Sequence, residues 1–599
     1  MNSGIYALDP VNGVWCRSDH KPFIYSDGDA TETRLLAALR QCIDVSAQST
    51  ELLSCIADWP SEYHFSSTRH NLLRPFAFDH TQRVLEIGCG CGAITRFLGE
   101  SQAQVVALEG SRRRAQIASE RCRDLENVSI YCDNLADFRF DGKFDYVTLI
   151  GVLEYAPLFV AGEDPVVAAL ERARSFLKDG GSLILAIENQ LGLKYFNGCA
   201  EDHTGIPYSG INGLYESNGP ATFGRHALSE KLSRAGFRFQ EFLFPFPDYK
   251  MPGLILSAPA LAEARLNVAD LLIQNSGGCH PENYQRAFAE DQAWRVVSEN
   301  KLLPELSNSF LVVARSDTTA TQEVGWLAKM YNRSNRRPCY QLETTILRDE
   351  AMTLTVQKRR LFPAAPAPQN EWLKHVAADC TYHSGSLMLG TIHRAMARQA
   401  GIDELAACFA PWLRYLTMHS RAGADGAAHL PGNFVDCIPA NLVQSPNGEL
   451  IYIDAEWEAE ETIPLAWVVS RGILNSLSGC LENEALKGLS NGQCITRIAR
   501  FNGMNPSEAE LDVAAELESR LFTNCFSRVR ATSASKDNLS QPVFGYYRLS
   551  NNMPGLQSEL EWLRHELSRV KSTVSWRITA PLRVAWNLLR NIWRRNSKP

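Results

Sequence analysis

The sequence predicts an α/β protein: a seven-stranded, doubly wound sheet, followed by an α+β unit and a helical C-terminal tail. Three observations carry this. From Arg83 onward short apolar strands alternate with helical stretches, the pattern of βαβ units and a parallel sheet. The first of those strands runs into a glycine loop, and the second ends on an acidic residue. After Asp317 the alternation stops, and strands joined by charged turns give way to long helical stretches. A chain of 599 residues far exceeds one hydrophobic core. The expected divisions are an N-terminal helical, substrate-side segment at 1–79, the sheet at 80–316, a second unit at 320–545 and the tail at 550–599.

Residues 1–79 are mixed, with a helical pattern near 32–57. The strands of the alternating region are Val84–Ile87, Val105–Leu108, Val128–Tyr131, Tyr146–Ile150 and Leu183–Ile187. A sixth fits Phe239–Phe244 and a seventh Phe310–Ala314, with an insertion of roughly 248–305 between them. Beyond it, Trp326–Tyr331, Thr344–Leu347 and Thr353–Gln357 read as strands, and FPAAPAPQN at 362–370 as a linker. Helical patterns dominate from about 371 to 420, two short strands at Asn441–Val443 and Leu450–Ile453 flank PNGE, and 465–535 is helical again.

Hydrophobic residues make up 45% and charged residues 21%, which excludes disordered, collagenous and disulfide-knot classes. The sixteen cysteines are scattered, with no paired CxxC spacing, so a reduced intracellular protein without structural zinc is expected. The N-terminus lacks a basic and an apolar signal region, and no apolar run reaches the length of a membrane span. The net charge of −7 divides into +7 on residues 571–599 and −14 on the rest. An acidic body with a basic tail argues against nucleic acid as partner and for a local anionic partner of the tail.

Residues 84–92 read VLEIGCGCG, so Glu86 is followed by Gly88, Gly90 and Gly92. Glycine lets the backbone turn sharply and approach a ligand closely. Glu109 ends the next strand, nineteen residues after Gly90, where a carboxylate accepts ribose hydroxyls in doubly wound nucleotide sites. The spacing is GxGxG rather than the GxGxxG of nicotinamide-binding folds. Asp133 follows the third strand, positioned for an adenine amino group, and Glu154–Tyr155 lies just past the fourth. Together these residues resemble the class I S-adenosylmethionine-dependent methyltransferases over about residues 80–315, including a final antiparallel hairpin. The resemblance implies a Rossmann-like methyltransferase sheet with Glu86, Gly88, Gly90, Gly92, Glu109 and Asp133 holding the cofactor.

A more particular resemblance rests on YHFSSTRHNLLRP at 63–75, ENQLGLKYFNGCAEDHT at 188–204, PATFGR and FPFPDYKMP. These segments look like bacterial bifunctional kinase–methyltransferases that terminate O-antigen chains. In such a fold they sit over the methyl-donor crevice and build the acceptor pocket. A hydroxyl acceptor needs a general base, for which His203 with Asp202 is the candidate; a phosphate monoester is already anionic, and Arg69, Arg74, Lys194 and His203 are the candidates to bind its oxygens.

Residues 430–457 carry Asp436, Asn441 five residues later, and Asp454 after a second apolar strand. Kinases use this grammar: one Asp receives the hydroxyl proton, and an Asn and a later Asp hold magnesium. The segment resembles the aminoglycoside- and choline-kinase-like families, with Phe434 where histidine usually stands. The resemblance implies ATP and Mg2+, with Asp436 as proton acceptor, Asn441 and Asp454 as metal ligands, and Lys358 orienting the nucleotide, paired with Glu371; Lys329 competes for that role. NRSNRRP stands where a glycine-rich loop is absent.

In the tail, Leu556, Leu560, Leu563, Leu567 and Val570 follow heptad steps, compatible with a short oligomer seam or an amphipathic surface helix. Trp576, Trp586 and Trp593 among basic residues point to an anionic membrane surface, with docking to a partner protein as the alternative. The expected protein is cytoplasmic, peripheral on the inner face of the cell membrane. Its kinase phosphorylates a glycan end or lipid-linked polysaccharide, and its methyltransferase caps that phosphate beside glycan-assembly glycosyltransferases. The competing readings are a sugar-hydroxyl O-methyltransferase with a non-catalytic kinase-like domain, and a membrane-bound scaffold for glycosyltransferases.

Overall fold

The structure is a computed structural model that describes residues 5–19, 28–277, 284, 286–317, 324–332, 336–368, 372–424, 426–527 and 536–543. The tail at 550–599 and Glu371 lie outside the described residues. In chain order the strands are β1 (Tyr6–Asp9), β2 (Val14–Arg17), β3 (Arg83–Ile87), β4 (Gln104–Glu109), β5 (Val128–Cys132), β6 (Phe144–Ile150), β7 (Leu177–Glu188), β8 (Phe239–Phe246), β9 (Leu254–Leu256), β10 (Ser309–Arg315), β11 (Trp326–Tyr331), β12 (Leu342–Arg348), β13 (Leu354–Arg360), β14 (Leu373–His375) and β15 (Cys380–Thr381), with short pairs beyond.

One sheet of fourteen strands runs in the order β1-β2-β5-β4-β3-β6-β7-β10-β8-β9-β11-β12-β13-β15. β2 to β7 are parallel, and β10 and β8 close that half as an antiparallel hairpin against β7. All seven strands expected at 80–316 are present, each within a few residues of its expected bounds except β7, which starts at Leu177. That early start carries the Lys178–Gly181 turn into the strand as an irregularity in its pairing with β6.

β3 lies between β4 and β6, so the connections leaving it run to opposite sides, and a crevice opens at the carboxyl ends of β3 and β6. Side chains of β3 alternate between faces: Leu85 and Ile87 join the core with Val147, Leu183 and Phe310, while Val84 packs opposite with Ile94, Leu98 and Ile184. Helices Ala93–Glu100, Arg112–Arg121, Pro165–Ser175 and Arg225–Arg234 supply the layers.

Three features depart from the expectation. The N-terminal hairpin β1–β2 extends the parallel edge through β5. Residues 373–387 form short strands rather than helix; helix begins at Met388. Most consequentially, the sheet does not stop at 316. β9, inside the insertion, pairs with β8 on one side and β11 on the other, so the β11–β12–β13 meander continues the same sheet. The insertion also reaches the helical unit: Gln274 Nε2 donates to Ala440 O at 2.9 Å, and Leu387 N donates to Asp270 Oδ2 at 2.6 Å. That unit closes on its own core around Trp412, Trp467 and Ile473.

Candidate functional site

The glycine loop is fixed to the sheet before it meets any ligand. Gly88 N and Cys89 N both donate to Leu108 O, at 2.8 and 3.0 Å. Gly88 and Gly92 have φ of +76° and +83°, and a Cβ would lie 2.4 Å from Val152 Cγ2 at Gly88 and 2.8 Å from Ala118 Cα at Gly92. Both positions therefore require glycine for conformation and for close approach. Gly90 has φ +56°, and a Cβ there would meet only the end of the Arg114 side chain, at 3.1 Å. Glu109 braces the loop from β4: Gly90 N donates to its Oε2 at 2.8 Å and Ser111 N to its Oε1 at 2.9 Å.

Asp133 is 1% exposed; Tyr6 Oη donates to its Oδ2 at 2.5 Å and Asn134 N to its Oδ1 at 2.9 Å. Tyr6 comes from β1, an element the sequence reading did not anticipate, although Asn12–Gly13 between two short apolar stretches is a hairpin signal. Burial, with the Asp133 contact, keeps the Tyr6 phenol protonated. Glu86 is buried, its Oε2 has no hydrogen-bond partner, and burial pushes its pKa up to about 7, against Thr95 and Arg69.

Glu86, Gly88, Gly90, Glu109 and Asp133 line a cavity of about 420 Å³ whose other end is a group of ionisable side chains; Gly92, expected among the cofactor residues, packs against Ala118 and is not part of that lining. Asp202 receives Lys194 Nζ and Lys250 Nζ, each at 2.8 Å, and Tyr195 Oη at 2.5 Å. Burial opposes ionisation of Asp202, and the two lysines outweigh it, holding the carboxyl well below its usual range. Lys250 also contacts Glu188 Oε1. His203 lies with Nδ1 3.1 Å from the Tyr155 hydroxyl and Nε2 3.6 Å from Glu188 Oε2. Burial works against its charge, but Glu188 and Glu154 prevail and raise its pKa to about 9. Burial and the neighbouring Glu188 raise that of Glu154 to about 8.

The expected His203–Asp202 pair does not form: Asp202 is taken up by two lysines and a tyrosine, and the partners of His203 are Tyr155 and Glu188. Two anion-binding expectations are also corrected. Lys194 is fully buried against Asp202 and Asp248. Arg74 lies between the rings of Phe97 and Phe362, in the seam between the two halves of the sheet, with Nε donating to Asn71 Oδ1 at 3.1 Å. Arg69 does line the cavity; its Nη1 donates to the carbonyls of Tyr249 and Lys250, each at 3.1 Å, and its guanidinium lies 4.5 Å from the Tyr63 ring centre. Glu188 and Lys250 escaped the sequence reading, although Glu188 ends a parallel strand, where doubly wound sheets place their ligands.

The second constellation gathers behind β13. Lys358 Nζ contacts Asp454 Oδ1 and lies 3.5 Å from Glu456 Oε1, whereas Lys329 pairs with Glu343 and is not among them. Burial disfavours the ionised Glu456, but His375, Arg336 and Lys358 together hold it well below its usual range. Asn441 Nδ2 donates to the Asp436 carbonyl at 3.0 Å, and Asp436 Oδ1 receives Arg471 Nη2 at 2.7 Å. Asp454 has a left-handed φ of +58°. Phe434, at the usual histidine position, packs against His419 and Tyr452. Within NRSNRRP, Arg333 lies outside the described residues, Arg336 bonds Glu456 at 2.6 Å, and Arg337 donates to the carbonyls of Thr523 and Asn524.

Residues 85–183, which hold the glycine loop, Glu109 and Asp133, match the family of methyltransferase domains. The chain is 32% identical over 113 residues to a ubiquinone biosynthesis O-methyltransferase of Xanthomonas campestris pv. campestris, covering 18% of this chain and 44% of that protein. It is 39% identical over 57 residues to ribosomal RNA small subunit methyltransferase A of Streptococcus mutans, covering 10% and 20%. The chain thus spans less than half the length of the curated relatives it matches. Among solved structures it is similar to a phosphoethanolamine N-methyltransferase of Haemonchus contortus in complex with S-adenosyl-L-methionine, at 17% identity and a TM-score of 0.24, over 43% of this chain and 56% of that one. Residues 85–183 are a methyltransferase domain.

Proposed function

We propose that the chain is an S-adenosylmethionine-dependent methyltransferase of bacterial surface-polysaccharide assembly, with a kinase in its second unit that phosphorylates the glycan end to be methylated. The observation that carries the methyl-transfer reading is one cavity joining the Gly88–Gly92 cradle and Glu109 to the buried group around Glu188 and His203. The residues fit the cofactor: Gly88 and Gly90 line the cavity without side chains, and Glu86 offers a buried, unpartnered carboxylate oxygen to an ammonium group. Glu109 and Asp133 stand where a ribose and an adenine are held in doubly wound sites.

When bound, S-adenosylmethionine supplies an electrophilic sulfonium methyl. The chain supplies position: Tyr6 fixes Asp133, Glu109 fixes the loop, and Lys250 and Lys194 fix Asp202 at the acceptor end. Against burial, Glu188 and Glu154 raise the pKa of His203 to about 9, so its protonated imidazole is a cationic partner for an anionic acceptor oxygen at that end of the cavity. This favours a phosphate ester, which is its own anionic nucleophile, over a neutral hydroxyl.

For the phosphotransferase, Lys358, Asn441 and Asp454 would hold ATP and Mg2+, and Asp436 would accept the proton of the acceptor hydroxyl. The proximity of Lys358 to Asp454 and of Asn441 to Asp436 supports that reading. The acceptor would be a glycan or lipid-linked polysaccharide reached from the membrane surface through the tail. The test is incubation of the full chain with a polysaccharide acceptor, ATP and S-adenosylmethionine, followed by mass spectrometry of the glycan terminus. The expected product is a methyl phosphate ester that forms only when both co-substrates are present. Methylation without ATP would leave the sugar-hydroxyl reading in its place.

A further inference from the structure

Glu154 follows β6, Glu188 ends β7 and His203 lies in the segment beyond it, yet one ligand atom of each lies within 4.8 Å of the others. Their side chains are all but excluded from solvent, His203 at 6% and Glu188 at 0% exposure. His203 Nε2 and Glu154 Oε2 have no hydrogen-bond partner. The 3.6 Å between His203 Nε2 and Glu188 Oε2 is too long for a hydrogen bond. Two ligands on one divalent ion, at roughly 2.1 Å each, stand about 3–3.5 Å apart. The surroundings favour a cation: among the described residues, Lys194, Lys250 and His203 itself face the four carboxyls of Glu154, Glu188, Asp202 and Asp248.

We infer that Glu154, Glu188 and His203 form a binding site for a divalent transition-metal ion, with Mn2+ or Zn2+ as the fitting class. Two carboxylates and an imidazole suit such ions, whereas Mg2+ favours oxygen alone. Tyr155 orients the imidazole through Nδ1, as outer-shell partners of metal-bound histidine do. Lys250 occupies Glu188 Oε1 and leaves Oε2 facing His203. All three ligands line the cavity, so the ion would have an open position toward an acceptor oxygen, phosphate or hydroxyl, and would supply there the positive charge that the His203 proton supplies without it. That role rests on the methyl-transfer reading; binding of the ion does not.

The test uses the full chain carrying Asp454→Asn, which weakens the separate carboxylate cluster near Lys358. After chelator treatment the protein is titrated with Mn2+, and free ion is followed by electron paramagnetic resonance. One Mn2+ per chain is expected, with Glu154→Gln and His203→Asn each weakening it by about 10- to 100-fold. An unchanged circular dichroism spectrum and a cooperative thermal melt report that each variant is folded; if His203→Asn fails to fold, the isosteric Glu154→Gln gives the reading. Absence of stoichiometric Mn2+, or equal affinity in folded variants, would overturn the site and leave a proton in the ion's place. S-adenosylmethionine binding without Mn2+ binding removes this inference alone; loss of both in the parent protein removes the methyl-transfer reading as well.

Discussion

Glu109 is asked to do two things at once, and single substitutions separate them. Its carboxylate accepts the N–H groups of Gly90 and Ser111, and it is 5% exposed. Hydrogen bonds to a charged, buried acceptor contribute about 1.5–3 kcal/mol each. Glu109→Ala should therefore lower unfolding stability in urea by roughly 3–6 kcal/mol and abolish S-adenosylmethionine binding, whereas Glu109→Gln keeps the shape and should lose less of both. Glu86 makes a pH prediction. Its pKa is raised from 4.5 to about 7, so the folded protein keeps a proton that the unfolded chain gives up. The associated stability is complete below pH 4.5 and is lost as pH rises through 7, in total roughly 3 kcal/mol at 1.36 kcal/mol per unit. Urea midpoints of the wild type minus those of Glu86→Gln, taken at pH 5, 6 and 7.5, should fall along that series; a flat difference contradicts the assignment.

At the scale of elements, the insertion between β8 and β10 joins the two halves of the chain. Its helix Val268–Asn275 leads Asp270 to the backbone of Leu387, a buried residue of the second unit. Asp270→Ala leaves that N–H unmet, which costs about 1–3 kcal/mol. Chemical denaturation should show that loss, and S-adenosylmethionine titration should show no change. The parallel strands β3 to β7 were legible because a strand covered on both faces reads as an apolar run and the glycine loop punctuates it. β9 was not legible: three apolar residues in PGLILSAP are too short to reveal a strand, and its role comes from pairing with β8 and β11, both distant in sequence from one another. The helical expectation for 373–387 failed for the same reason, since those short strands are defined by partners such as Trp457–Ala459. The cofactor end of the site could be read from local spacing, whereas the acceptor end could not. Glu188, His203 and Lys250 are spread over more than sixty residues and converge only when β7 and β8 fold together, and Arg74 was drawn into a seam that no local pattern announces.

Over the whole molecule, one sheet runs from the glycine loop after β3 to Lys358 on β13, and residues 571–599 carry seven basic and no acidic side chains. Each basic residue near an anionic leaflet contributes roughly 1 kcal/mol. The full chain should sediment with anionic vesicles and be partly released by high salt, while a chain ending near Leu556 should stay in solution and still bind S-adenosylmethionine. Equal partition of the two would make the tail a docking segment for another protein. The claim on which everything else depends is that the Gly88–Gly92 loop cradles S-adenosylmethionine. Isothermal titration of the ligand into the full chain and into Gly90→Arg tests it most directly. The account predicts saturable one-to-one binding to the wild type and none to a folded Gly90→Arg protein, because an arginine there would occupy the ligand's approach to the backbone. Equal affinity in the two, or no binding to either, would contradict it.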